Sequence, residues 1–312
     1  DIVPVDQVDA PLSLSGHIAD LRARAASPDN TADAQLAATL LALMAREDVL
    51  SAQPQRWLGA GGTPTTDAEY AGELTLSPSQ FERALACPLR WFLTTVGADG
   101  PSNVAASLGT LIHAVAEEHP HGTPEELTEA LEARIEELGY NLDTWAGRVA
   151  DRHARDIVNN LASYLEGIPG PVEVEQTVSA QVEGVTIRGR MDRLEHVDEG
   201  VRVTDLKTGK SGYSAKTVPD NPQLAAYQMA LLASGERVAG ARIALLGDDK
   251  LKYFDQPRLE GQALEDWHDK IRSVAADARG PYFEARPSDA ACAYCSFDRL
   301  CPARERGHKV VE

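Results

Sequence analysis

Hydrophobic side chains recur at helical spacing through the first half of the chain. The segment TADAQLAATLLALMARE, residues 31–47, has apolar positions three and four residues apart, which predicts an amphipathic helix. The same spacing predicts helices in residues 77–93, 107–119, 123–139 and 143–167. Two of these segments begin with Ser or Thr, then Pro, then Gln or Glu two residues later, which predicts capping boxes at Ser77 and Thr123.

The pattern changes to a period of two after Pro171. Residues 172–184, 185–200 and 201–210 alternate apolar and polar positions and are joined by glycine-containing turns, which predicts three strands in a meander. A helix over 221–235, two strands over 241–247 and 250–254 and a long helix over 259–280 follow. The predicted fold is therefore α/β, with a mixed sheet of about five strands flanked by helices.

Composition divides the 312 residues into three parts. Residues 1–52 are acidic and rich in Ala and Leu, which predicts a helical leader; residues 53–74 are rich in Gly, Pro and Thr, which predicts a linker; residues 75–312 form the main domain. The sequence does not begin with Met, so we expect the leader to connect to an upstream region. No apolar run reaches the length of a membrane span and no secretory signal is present, which predicts a cytoplasmic protein.

A pair of acidic residues on neighbouring strands suggests metal chemistry. Asp205 and Lys207 are two apart and share one strand face, and the meander lays Asp192 beside Asp205. An exposed Asp–Lys salt bridge is the simpler interpretation of Asp205 and Lys207 alone. Two facing carboxylates repel each other unless a cation lies between them, and oxygen ligands suit Mg²⁺ or Mn²⁺. The net charge of −18 argues against a nonspecific DNA coat but is compatible with an enzyme that binds DNA in a local groove.

The four cysteines suggest a second metal centre. Cys292, Cys295 and Cys301 are spaced C-x2-C-x5-C, and Cys87 lies about 200 residues upstream. Disulfides are not expected in a reducing compartment. Zinc and an iron–sulfur cluster both remain open, although structural zinc sites more often use two close pairs of ligands. A zinc-binding interaction module, with the acidic pair as ordinary surface, is one alternative to an enzyme.

The motifs GRMDR, TDLKTGK and QLAAY, in this order, resemble the RecB-type PD-(D/E)XK nucleases. The resemblance implies a restriction-endonuclease-like core that cleaves DNA by attack of a metal-activated water. It implies that Asp192, Asp205 and Lys207 are catalytic, that Gln223 and Tyr227 position Lys207 or the strand, and that His113 of GTLIH, which also contains Gly109, binds the metal with Asp192 and Asp205. His113 as a core histidine, and Gln223 with Tyr227 as helix packing, are the structural alternatives. Glu173 or Glu175 could assist the metal.

The cysteine pattern is similar to that of the iron–sulfur subgroup of this family. It implies that Cys87, Cys292, Cys295 and Cys301 hold a [4Fe–4S] cluster that staples the first core helix to the C-terminal tail. This subgroup includes the AddB and AdnB subunits of bacterial helicase–nucleases. The resemblance implies a partner subunit, exonucleolytic cleavage of single-stranded DNA, and a role in end resection and recombinational repair. A freestanding nuclease of CRISPR adaptation and a nuclease-like scaffold that binds DNA without cleavage are the alternatives.

Overall fold

The computed structural model describes residues 13–27, 31–54, 69–98, 108–135, 141–168, 170–210, 212–293, 295–298 and 300–304. The chain divides into two compact units, Asp1–Ala68 and Glu69–Glu312. In the described residues, no helix is both long enough and apolar enough to cross a bilayer.

The first unit contains two helices, α1 (Leu14–Ala25) and α2 (Thr31–Arg46), and a short 3-10 turn (Leu50–Ala52). Ser13 caps α1, because its side chain accepts the backbone N–H of Gly16. The helices pack through a small apolar cluster that consists of Ile18, Leu21, Ala37, Leu41 and Ala52.

The second unit contains six strands and eight helices within its described residues. In chain order these are β1 (Leu74–Leu76), α3 (Pro78–Ala86), α4 (Pro88–Thr95), α5 (Leu108–Glu118), α6 (Pro124–Glu132), α7 (Trp145–Glu166), β2 (Val172–Val182), β3 (Val185–Val197), β4 (Gly200–Lys207), α8 (Pro222–Ala233), β5 (Val238–Leu245), β6 (Lys252–Pro257), α9 (Gly261–Arg279) and α10 (Asp289–Cys292). The prediction of a mixed sheet flanked by helices is confirmed. Strand β1 was not predicted, since its first residue lies at the end of the predicted linker.

Both predicted capping boxes are present. The Ser77 hydroxyl accepts the amide of Gln80 and the Gln80 side chain accepts the amide of Ser77, which fixes the start of α3. Thr123 and Glu126 make the same reciprocal pair at α6. The helix predicted over 77–93 is broken at Cys87, whose φ of −162° is extended. A proline disfavours the helical conformation for the residue before it. Pro88 therefore ends α3 at Cys87 and begins α4.

The sheet owes its shape to the long strand β3, which has different neighbours along its length. Strand β2 pairs antiparallel along one edge of β3. On the other edge, the C-terminal half of β3 pairs antiparallel with β4, and its N-terminal residues pair in parallel with β1. Strands β5 and β6 extend the sheet beyond β4. Strand β4 therefore separates from β3 halfway along, which leaves a fork between them.

Helices cover both faces of this sheet. One core cluster joins the sheet to α3, α8 and α9, with Phe81, Ala226 and Trp267 fully or almost fully buried. The other joins it to α5, α6 and α7, with Ile112 and Leu161 fully buried. Because helices cover both faces of the sheet, its strands are buried, and side chains at the fork are shielded from water on two sides.

Candidate active site

The two acidic residues predicted to face each other lie at the fork. Strands β3 and β4 pair Leu194 with Val203 and Arg193 with Thr204, and the ladder ends there. Continuing this register by one residue places Asp192 opposite Asp205, so both lie on the same side of the strands. Beyond this point the amide of Leu206 donates to Oδ2 of Asp192 at 2.7 Å instead of to a backbone carbonyl. The Asp192 carboxylate thus provides the hydrogen-bond acceptor for a backbone amide of β4 where the strands diverge.

Three side chains from three elements meet beside this fork. One ligand atom each from His113 on α5, Glu175 on β2 and Asp192 on β3 lies within 4.8 Å of the others. Nδ1 of His113 is 3.3 Å from Oδ1 of Asp192. All three residues are half-buried. We refer to His113, Glu175 and Asp192 as the ligand group.

The local backbone explains how these side chains converge. The buried residues Leu111, Ile112 and Val115 hold α5 against α6 and α7, which leaves His113 at the edge of the packed face. Strand β2 pairs Val174 and Gln176 with β3 but skips the residue between them. That residue, Glu175, has a φ of +54°, a left-handed conformation that non-glycine residues rarely adopt. This irregularity lies directly across from Asp192 in the register.

A second cluster surrounds Asp205, which is 5% exposed. Nζ of Lys207 forms an ion pair with Oδ2 of Asp205 at 2.8 Å. Gln223 on α8 contacts both residues, since its Nε2 donates to Asp205 at 2.8 Å and its Oε1 accepts from Lys207 at 3.1 Å. Tyr227, one turn later, donates to the carbonyl of Arg190 on β3 at 2.7 Å. Helix α8 therefore fixes both strands of the fork.

The charges at the site perturb one another. Burial raises the pKa of Asp205 to about 6, although the charge of Lys207 opposes this. Hydrogen bonding to Asp192 raises the pKa of His113 against the effect of its burial. Burial and then the charge of Asp192 raise the pKa of Glu175. Burial lowers the pKa of Lys207, but attraction to Asp205 outweighs it, so the net direction is upward. Burial also raises the pKa of Tyr227.

The donor set fits a hard divalent cation. It comprises two carboxylates and an imidazole in the ligand group, and a third carboxylate, Asp205, across the fork. Among the described residues, Oδ2 of Asp205 is buried with no hydrogen-bond donor aligned on it, even though Lys207 lies beside it. Carboxylates gathered in this way repel each other, and a cation such as Mg²⁺ or Mn²⁺ relieves that repulsion.

The structure separates the residues that the sequence grouped. His113 and Asp192, both predicted as metal ligands, lie together. Asp205, the third predicted ligand, contacts Lys207 and Gln223 and is not in the ligand group. Of the two assisting residues considered, Glu175 joins the ligand group, whereas Glu173 pairs with His196 at 2.8 Å.

Arg190 is a site residue that the sequence analysis did not single out. Its guanidinium pairs with Glu175 of the ligand group and with Glu117 on α5, the latter at 2.8 Å. Its carbonyl accepts the Tyr227 hydroxyl. Its place in GRMDR, two residues before Asp192, was the available signal, because residues two apart on a strand share a face.

The four cysteines lie around the junction of α3, α4 and the tail. All are free thiols and half-buried. The tail is attached near Cys87, because the amide of Leu89 donates to Glu284 at 3.1 Å and Arg90 donates to the carbonyl of Ala291 at 2.7 Å. Within the described ranges, however, the thiols do not come together as a group of metal ligands. The [4Fe–4S] cluster therefore stays a prediction, because its four thiolates would surround a cluster wider than a single ion.

The chain is similar to known proteins over most of its length. Residues 75–302 match the family model described as the PD-(D/E)XK nuclease superfamily. No curated protein matches the sequence. Among solved structures, SSO0001 is similar at 18% identity and a TM-score of 0.40, covering 75% of this chain and 88% of that chain. A protein from Eubacterium rectale with the provisional name exonuclease is similar at 11% identity and a TM-score of 0.42, covering 72% and 88%. At these identities and TM-scores, neither similarity supports an inference about the reaction.

Proposed function

Because the chain belongs to the PD-(D/E)XK nuclease superfamily, we propose that it is a DNA nuclease that depends on a divalent cation. The observation that carries the proposal is the convergence of His113, Glu175 and Asp192 beside the Asp205–Lys207 pair. A core histidine or an exposed salt bridge would not require these side chains to meet at the point where two strands diverge.

Each residue of the site has its own proposed chemical role. His113, Glu175 and Asp192 would hold Mg²⁺ or Mn²⁺, with Asp205 as a further ligand. Such an ion, when bound, polarises a phosphodiester and lowers the pKa of a bound water. The Lys207 ammonium lies where it can orient the attacking water or neutralise phosphate charge. Gln223 holds both Asp205 and Lys207, and Tyr227 keeps β3 in place, so both act as positioning residues.

The proposed substrate is DNA, with a single strand favoured over a duplex read by sequence. The sequence contains no helix-turn-helix or zinc-finger motif that would read bases. The net charge of −18 also disfavours extended coverage of a duplex, because phosphate binding along a duplex requires a basic surface. At the site itself, Lys207 together with a bound divalent cation would offset the charge of the phosphate that is cut.

Cleavage assays test the proposal directly. The full chain is incubated with single-stranded and blunt duplex oligonucleotides, labelled at either end, in Mg²⁺, Mn²⁺ or EDTA. We expect cleavage with either metal, none in EDTA, and shortening from one end if the activity is exonucleolytic. The Asp205→Ala variant should lose this activity. Cleavage that continues in EDTA, or that Asp205→Ala leaves unchanged, would refute the catalytic assignment.

We further propose that the nuclease works in a helicase–nuclease complex of the AddB or AdnB type, in end resection and recombinational repair. Support comes from the motif order and the cysteine spacing. The 312 residues contain no helicase motif, so a motor would have to be supplied from outside this segment. Co-purification of the full-length protein with a helicase subunit, and cleavage stimulated by ATP, are the expected results; ATP-independent activity without such a subunit favours a freestanding nuclease.

The cysteines support a proposed [4Fe–4S] cluster as a structural staple. Three thiols are close in sequence, and hydrogen bonds hold the tail near Cys87. Protein purified without oxygen should be brown, with about four irons and four sulfides per chain. Cys295→Ser should abolish the colour. Stoichiometric zinc in place of iron would contradict the proposal.

A further inference from the structure

A surface cavity of about 450 Å³ lies next to the end of β4. It is lined by the first turns of α7, by Lys210 and by residues 247–249 after β5. We call it the Trp145 cavity. The amide of Gly247 donates to the carbonyl of Lys207 at 3.3 Å, so the cavity wall is bonded to the strand that carries the proposed catalytic lysine. Its volume is in the range of small-ligand pockets, about 300–1,000 Å³.

An exposed indole forms one wall of this cavity. Trp145 is 75% exposed, whereas Trp91 and Trp267 are 6% and 3% exposed. Val149 lies one turn later on the same helix face and is also exposed. Both side chains line the cavity. A flat aromatic surface of this kind is what a nucleobase stacks on.

The polar groups around the indole suit a neutral polar ring better than a lone phosphate. Arg152 and Lys210 line the cavity, but so do Asp156, Asp248 and Asp249. A phosphate would be repelled by the carboxylates, whereas the edge of a base offers both donors and acceptors to such a mixed wall. Neither Arg152 nor Lys210 forms an ion pair with any described residue, so both cations are available to the phosphates that flank a base.

We infer that the Trp145 cavity binds a nucleobase of the single DNA strand that the neighbouring site cuts. This inference rests on the proposed nuclease function and specifies its substrate. Lys210 is three residues beyond Lys207 on the same segment. Because the cavity wall is bonded to the carbonyl of Lys207, a single strand held at the proposed site would have to span only the end of β4 to place a base against Trp145. A duplex, with its bases stacked and paired, has no base free to enter.

Binding measurements in EDTA test the inference without requiring cleavage. Fluorescence anisotropy of a labelled single-stranded oligonucleotide is compared for wild type, Trp145→Ala, Trp145→Phe and the control Tyr70→Ala, an exposed aromatic outside the cavity. We expect Trp145→Ala to weaken binding about tenfold, Trp145→Phe to retain most of it, and Tyr70→Ala to match wild type. Unchanged melting temperatures would show that the variants fold.

A strand with abasic sites separates base stacking from phosphate contact. Wild type should bind it about tenfold more weakly than the intact strand, and Trp145→Ala should bind the two alike. Equal binding by wild type and Trp145→Ala, or no measurable binding by wild type, would overturn the inference. If cleavage depends on metal but Trp145→Ala binds the strand as wild type does, the cavity assignment alone is refuted. If binding depends on Trp145 but no cleavage occurs, the proposed nuclease activity alone is refuted.

Discussion

The carboxylate of Asp192 accepts the backbone amide of Leu206 at 2.7 Å, at the point where the ladder between β3 and β4 ends. One oxygen of a proposed metal ligand thus replaces a backbone acceptor, while the other lies 3.3 Å from His113. The residue has a structural role and a proposed chemical role, and the two can be separated by choice of substitution.

Asp192→Asn should remove most of the cleavage activity while the fold is kept. The amide oxygen of asparagine can still accept the Leu206 amide, but it removes the negative charge from the ligand group. We expect activity to fall by about a hundredfold or more, with little change in thermal stability. Asp192→Leu should lose activity and also destabilise the protein by about 1–3 kcal/mol, because a buried amide is left unpaired. Denaturant unfolding in EDTA distinguishes the pair; equal stabilities would contradict the structural role.

Glu175 and Glu173 provide a matched pair for the ligand group. Both lie on β2, but Glu175 belongs to the ligand group and Glu173 pairs with the exposed His196. Glu175→Gln should weaken Mn²⁺ binding at least about tenfold, because one anionic ligand is lost. Glu173→Gln should bind as wild type does. Calorimetric titration of the metal-free protein measures both, and identical affinities would remove Glu175 from the site.

Lys207→Met should separate catalysis from metal binding. The ammonium is paired with Asp205, where it would compete with a bound cation for the same carboxylate. Its removal should lower cleavage by about a hundredfold and leave Mn²⁺ affinity unchanged or higher. Lys216→Met, at an exposed lysine of the following loop, is the control and should retain both properties. A loss of metal affinity in Lys207→Met would mean that Lys207 mainly supports the local structure.

Metal binding should strengthen as the pH rises from 5 to 7. Burial raises the pKa of Asp205 to about 6, and hydrogen bonding to Asp192 raises that of His113, so both groups are protonated at pH 5. Each must lose its proton to act as a ligand, and binding should release protons. Titrations in buffers of different ionisation enthalpy measure this release. In the metal-free protein the raised pKa of Asp205 has the opposite effect on stability, which it lowers as the pH rises from about 4 to 6.

Gly189→Ala should disturb the fork from the side of α8. A Cβ atom at Gly189 would lie 2.6 Å from Cδ of Pro78 and 2.9 Å from Cε1 of Tyr227. We expect a loss of about 1–3 kcal/mol in the free energy of unfolding, since neither ring can move away easily. Gly209→Ala is the control, because nothing lies within 4 Å of its added Cβ. Urea denaturation compares them, and equal midpoints would show that the packing at Gly189 is loose.

Local sequence signals were sufficient to predict most of the fold. The period-two segments became β2, β3 and β4, and the capping boxes at Ser77 and Thr123 formed as predicted. Strand β1 escaped prediction because three residues show no measurable alternation; only pairing with β3 makes them a strand. The break at Cys87 was missed because the helical periodicity continues through it, although Pro88 carried the signal.

The sequence predicted which side chains lie near the fork, but not how they contact one another. The strand pattern placed Asp192 and Asp205 side by side, as the register has them. Asp192 contacts His113, whereas Asp205 contacts Lys207, because β4 diverges from β3 between them. No local sequence pattern encodes that divergence. The membership of Glu175 likewise depends on an irregular φ that only the pairing of β2 with β3 reveals.

The exchange of neighbours along β3 has a mechanical consequence. Where β4 departs, the ladder of backbone hydrogen bonds between the two strands ends. The Asp192 carboxylate bonds directly across the opening, and Gln223 and Tyr227 of α8 each hold one of the two strands. A cation shared by carboxylates on both sides would supply the missing cohesion. Loading the protein with metal would then stiffen β3 and β4 together, and protection of their amides from hydrogen exchange would rise in step.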